Sequence, residues 1–145
     1  MLNFDMANDP IGFSTTRPEM KKYFSAWGQQ ISAIDSGFEN KFNSGAGLHS
    51  DHQPFMLAGL PIAGTLGNLP KNAGQYYHSD GDVFRLIDKR GMTNLVRYAS
   101  MLTYALGNTK NIAVERFTDT QNKAFLEKHQ LKEALKIAGE WPWED

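Results

Sequence analysis

Two residues stand out for the chemistry their types permit. Asp5 lies in Met1–Ala7 (MLNFDMA), where Leu2, Phe4 and Met6 alternate with Asn3 and Asp5. A carboxylate within an apolar strand is costly unless it is paired or bound to a metal. The other reading of Asp5 is a strand-end group that caps a loop or pairs with an arginine. His78 follows two tyrosines and precedes two carboxylates, in Tyr76-Tyr77-His78-Ser79-Asp80-Gly81-Asp82. A neutral imidazole is a common zinc ligand, and a nearby carboxylate fixes its tautomer. Alone, a loop histidine more often faces solvent. His52, in Ser50-Asp51-His52-Gln53-Pro54-Phe55, suits a ligand, a proton shuttle or a structural hydrogen bond, with the structural or supporting role favoured. His49 reads as a loop residue and His129 as a solvated residue of a charged helix. There is no His-x-x-x-His helix, phosphate-binding glycine loop, Gly-x-Ser-x-Gly elbow or dinucleotide fingerprint.

The elements that must position these residues alternate along the chain. Met1–Ala7 reads as a strand of period two. Asn8-Asp9-Pro10 and Gly12 read as a loop. Thr16-Arg17-Pro18-Glu19 fits a capping box, opening a helix with Tyr23, Trp27, Ile31 and Ile34 on its apolar face and Ser36-Gly37 at its end. A strand over Phe38–Asn43 and a flexible loop, Ser44 to Gly47, follow. A short helix, Met56–Ala58, is expected next, capped by Ser50 or Asp51 and ended by Gly59. Leu60–Leu66 reads as a buried strand, and Gly67 to Asp82 as irregular. Met92, Leu95, Val96, Ala99, Leu102 and Leu106 make the stripe of a helix from about Gly91 to Leu106, with Gly107 as its cap. A last helical stretch spans Asp119 to Ala138, broken near His129. This order predicts an α/β fold, with loop residues gathered at one end of the sheet, so that Asp5 and His78 reach one crevice.

Composition narrows the classes. The chain has 145 residues, 15 Lys+Arg against 16 Asp+Glu, and no cysteine. A chain of this length buries ~68–70% of its unfolded surface, enough for one core without staples. Near-zero net charge without a basic run argues against a nucleic-acid binder. No apolar run approaches the roughly 20 residues of a membrane helix. The absence of cysteine excludes disulfides, thiolate zinc fingers and cysteine nucleophiles. Met1 to Asp9 has no basic n-region, so a secretory signal is not expected there.

Four motifs occur in one order: Asn3-Phe4-Asp5-Met6, Ser50-Asp51-His52-Gln53-Pro54-Phe55, Gly59-Leu60-Pro61 and Tyr77-His78-Ser79-x-x-Asp82. Together they resemble the C-terminal half of the di-zinc exopeptidases, the family of bacterial leucyl aminopeptidases, carboxypeptidase Q, glutamate carboxypeptidases and glutaminyl cyclases. The resemblance covers about Met1 to Leu106. It implies a partial mixed sheet flanked by helices, one truncated peptidase domain with a core at 1–107 and a helical tail at 108–145. It implies that Asp5 ligates one zinc and His78 the other. Asp82 then holds the loop, Tyr77 faces the substrate, and Asp51 and His52 lie near the pocket without binding metal.

The resemblance also implies what to look for elsewhere. The family needs a His-x-Asp pair, whose Asp bridges the metals, and a Glu-Glu pair, which supplies the general base, both ahead of the Asp-Met strand. Here that strand begins at Met1, and neither pair stands ahead of it. A catalytic zinc wants three protein ligands and an open position, and its water needs a proton acceptor. The isolated chain is therefore expected not to hydrolyse peptides, and its zinc to be weakly held or absent. Open sheet edges and uncovered apolar faces predict a homo-oligomer or a missing N-terminal half as partner. The alternative is a non-catalytic remnant that serves as an interaction domain. Complete members of the family are often secreted or periplasmic; the location of this chain is left open.

Overall fold

The computed structural model describes residues 1–5, 8–67, 69–71 and 73–144. They form a mixed α/β fold around a three-stranded sheet of order β2-β1-β3. The strands are β1 (Pro10–Thr15), β2 (Lys41–Ser44) and β3 (Ala63–Gly67). β1 runs parallel to β2 and antiparallel to β3. The helices are α1 (Lys21–Ile34), α2 (Gln53–Leu57), α3 (Lys89–Asn108), α4 (Asp119–Lys128) and α5 (Lys132–Ile137). Among the described residues no helix is long and apolar enough to cross a membrane.

The central strand lies where the sequence predicts a loop. Pro10 is tolerated as the first residue of a strand. Gly12 is there because β2 runs against it: a Cβ would fall 1.9 Å from the Lys41 carbonyl oxygen. Both residues mark a close strand approach rather than a turn. Phe13, in the same strand, is buried against Phe24 and Phe38.

Among the described residues, the expected strand at 1–7 is reduced to a single parallel bridge, Leu2 to Ala63. Asn3 N–H donates to Ala63 O (2.9 Å) and Ala63 N–H to Met1 O (3.0 Å). Alternation shows which face is apolar, but a strand also needs a neighbour to pair with along its length. Among the described residues this segment makes its one bridge at Ala63, on the edge of β3 that β1 leaves open. Met6 and Ala7, the end of the expected strand, lie outside the described residues. Gly64 permits the approach, since a Cβ there would sit 2.3 Å from Asn3 O.

The capping box at Thr16 does not form. The Thr16 hydroxyl accepts from Ile62 N–H (3.1 Å), tying the end of β1 to the approach to β3, and a 3-10 turn over Pro18–Met20 precedes α1. The buried side of α1 is Phe24, Gly28 and Ile31, with Tyr23 and Trp27 half-buried, while Ile34 is 77% exposed. β2 starts at Lys41, later than expected, and Phe38 enters the core instead. α2 starts at Gln53, three residues early, without a side-chain cap from Ser50 or Asp51. β3 is confined to Ala63–Gly67.

α3 is longer than expected at both ends. Asp88 caps it by accepting from Arg90 N–H (3.0 Å), and it runs through Gly107 to Asn108. Its buried residues are Gly91, Leu95, Tyr98 and Leu102, and Val96 faces outward. Tyr98, absent from the predicted stripe, donates its hydroxyl to Asp35 Oδ2 (2.8 Å), which Arg97 also reaches (2.8 Å). Burial, aided by the Asp35 carboxylate, pushes the Tyr98 phenol up to about 12. The Tyr98 hydroxyl, then Gly37 N–H, hold Asp35 below the usual carboxylate range. These bonds fasten the end of α1 to α3. The tail helix breaks after Lys128, next to His129, as its sequence suggests.

Two cores result. The larger packs Phe13, Phe24, Phe38, Tyr98 and Leu102 between the sheet, α1 and α3. The smaller packs Met56 and Ile62 against Leu126 and Leu135 of the tail.

Candidate metal centre

Asp5 is exposed, just past the Leu2 bridge. Its Oδ2 accepts from the Ser50 hydroxyl at 2.8 Å. Ser50 Oγ in turn accepts from Asn3 Nδ2 (2.9 Å), and that amide nitrogen also lies 3.0 Å from His52 Nδ1. His52 Nε2 lies 3.0 Å from Gly47 O. One proton arrangement satisfies the whole chain. The Asn3 amide uses one hydrogen on Ser50 and one on His52 Nδ1, so His52 carries its proton on Nε2 and donates it to Gly47 O. Asp5 is thus the acceptor at the end of a fixed relay. A metal-binding carboxylate is usually held in this way by an outer hydrogen bond.

Asp5 separates two cavities. One, of about 300 Å³, is lined by Asn3, Asp5, Asn43, Gly47, His52 and Thr65, among others. Its lining is polar and apolar in about equal measure, and it lies where the parallel strands β1 and β2 end. The other, of about 420 Å³, is more apolar; its walls include Phe4, Asp5, Tyr77, Asp82, Leu86 and Met92.

The loop that carries His78 reaches the second cavity through Tyr77 and Asp82. Its own bonds shape it. Ser79 donates its hydroxyl to Tyr76 O (2.7 Å) and accepts from Gly81 N–H (3.3 Å). Asp82 N–H donates to Ser79 O (3.0 Å). Gly81 leaves room for the Tyr76 ring, which would have to turn aside to clear a Cβ at that position. His78 adopts φ +57, a conformation uncommon for residues other than glycine, and its ring stacks on Tyr77 at 3.9 Å.

The structure therefore brings Asp5, Tyr77 and Asp82 to one cavity and Asp5 and His52 to the other. His78 and Asp51 are exposed and line neither of them, so the expected meeting of Asp5 and His78 in one crevice is not found. Asn3 and Ser50, which hold Asp5, do not stand out by residue type. Both lie inside motifs that carry the resemblance, and that is the available signal. The spacing His-x-Asp does occur, as His49-Ser50-Asp51 and His78-Ser79-Asp80, but both follow Asp5. No Glu-Glu pair occurs.

A zinc ion needs more donors than meet here. Among the described residues no group of three or more His, Cys, Asp or Glu side chains could hold a metal ion. The donor set does not by itself fit a catalytic zinc.

Comparison with known families matches residues 1–103 to the family described as Peptidase family M28. The match ends inside α3 and leaves α4, α5 and the Trp141–Trp143 segment beyond it. No curated protein and no solved structure matches the chain.

Proposed function

Since the chain belongs to peptidase family M28, we propose that it is the C-terminal part of a zinc-dependent exopeptidase domain, of aminopeptidase type, acting on terminal peptide bonds. In this reading Asp5 and His78 each supply a ligand to one of two metal ions. Ser50, Asn3 and His52 hold the Asp5 carboxylate, Tyr77 faces the substrate, and Asp82 secures the loop. The observation that carries it is the cavity shared by Asp5, Tyr77 and Asp82, in a chain matched to the family over these segments.

The remaining ligands and the general base must come from residues outside this stretch. One carboxylate and one imidazole, each facing a different metal, fix neither geometry. The pure chain, supplied with zinc, is expected to release no product from aminoacyl anilides or short peptides above the rate of zinc alone. Turnover that is abolished by a chelator and by His78→Ala would overturn this.

A second reading is a non-catalytic, self-associating interaction domain. It draws on the apolar groove between α1 and α3, lined by Trp27, Ile31, Ile34, Met101 and Tyr104, where Tyr104 is 73% exposed. Patches of this kind often mark interaction surfaces.

A further inference from the structure

The segment beyond the family match takes hold of the loop that supports Asp5. α2 connects the two, and the carbonyls from Met56 to Gly59 at its end face the tail, Met56 O also accepting from Gly59 N–H (2.9 Å). Tail residues approach four in succession. Asn122 Nδ2 donates to Met56 O (3.2 Å) and Leu57 O (2.7 Å). Arg116 Nε donates to Ala58 O (2.6 Å), and Phe117 N–H to Gly59 O (2.9 Å). Asn122 is almost fully buried. Beneath the helix, Leu126 and Leu135 pack on Met56 and Ile62.

The first residue of α2 is gripped as well. Gln53 Nε2 donates to a Glu140 carboxylate oxygen, and Gln53 Oε1 accepts from His49 N–H (2.6 Å). Glu140 thereby holds the segment that presents Ser50 and His52. Those two side chains, with Asn3, hold Asp5.

We propose that residues 116–140 are a brace that sets the Ser50–His52 loop on Asp5, with Asn122 and Glu140 as positioning residues. Only the role given to Asp5 rests on the peptidase reading; the brace and its readout need neither metal nor turnover. A side chain that merely adds stability lowers the unfolding midpoint and leaves the His52 proton where it is. A positioning residue changes that proton's location.

The test is ¹⁵N NMR of the His52 ring in the full chain at pH 8. The wild type is expected to show two well-separated ring nitrogens with the proton on Nε2. In Glu140→Ala and in Asn122→Ala the separation is expected to shrink by at least half, toward that of an imidazole exchanging between tautomers, while the Tyr98 ring signals in the larger core stay in place. Glu140→Gln keeps an acceptor for Gln53 and is expected to retain the wild-type pattern. If Asn122→Ala fails to fold, Glu140→Ala decides, because Glu140 is exposed. Wild-type His52 signals in Glu140→Ala would overturn the proposal. So would an equal displacement of the Tyr98 signals, which would mean general loosening. Turnover and metal content do not enter, so failure here and failure of the peptidase reading are separate results.

Discussion

Gly12→Ala is expected to prevent folding, or to cost more than the about 1–3 kcal/mol typical of an overpacked core. The added Cβ would lie 1.9 Å from Lys41 O and 2.5 Å from Lys41 C, within the β1–β2 pairing. A flexible side chain can turn away from such a contact, but a strand backbone cannot. Relief requires β2 to leave β1, and β1 is the strand that carries Phe13 into the core. Gly107→Ala should act in the opposite direction. It lies in the last turn of α3 with open space around it, and is expected to gain about 0.5–1 kcal/mol. Urea unfolding of the two variants beside the wild type checks both signs. A Gly12 variant with an unchanged midpoint would mean that the strand pairing is wrong.

Arg17→Ala is expected to lower stability by about 3–4 kcal/mol. The side chain is 2% exposed, an unusual place for a guanidinium. Nη2 donates to Gly59 O at 2.8 Å, and the guanidinium carbon lies 3.1 Å from the centre of the Phe117 ring. Burial draws its pKa below the ordinary guanidinium value, and Glu19, at 3.7 Å, partly offsets this. Glu19 is well exposed, so that ion pair adds little. The carbonyl bond and the aromatic face therefore account for most of the loss. Arg17→Lys should recover little, because an ammonium lacks the planar fork and stacks less well. A double-mutant cycle with Phe117→Leu isolates the ring contact. Full recovery by lysine would show that charge alone matters there.

Much of this order is visible in the residues, where the signals are local. The existence of α3, with Leu95 and Leu102 on its buried face though Met92 and Val96 are exposed, the Gly59 stop after α2 and the break at His129 depend on neighbours a few positions away. What misleads is chemistry decided across the fold. Pro10 and Gly12 look like turn residues until β2 lies against them. Thr16 looks like a helix cap, yet its hydroxyl serves Ile62, 46 residues on. Tyr98 escapes an apolar pattern because its hydroxyl has a polar partner, Asp35, just past the end of α1. At the site, Asp5 and His78 stand out by type and by resemblance. Asn3 and Ser50 do not, since small amide and hydroxyl side chains gain meaning only when the fold brings residues 3, 5, 50 and 52 together. The tail's hold on α2 likewise has no local mark.

The central claim is that these residues hold only part of a two-zinc site. Zinc content tests it most directly, on protein purified without chelator, saturated with zinc, desalted and subjected to elemental analysis, beside Asp5→Ala and His78→Ala. The account predicts less than one zinc retained per chain, and less again in either variant. About two tightly held zinc ions per chain would contradict it: the site would then be complete within this stretch or between its copies.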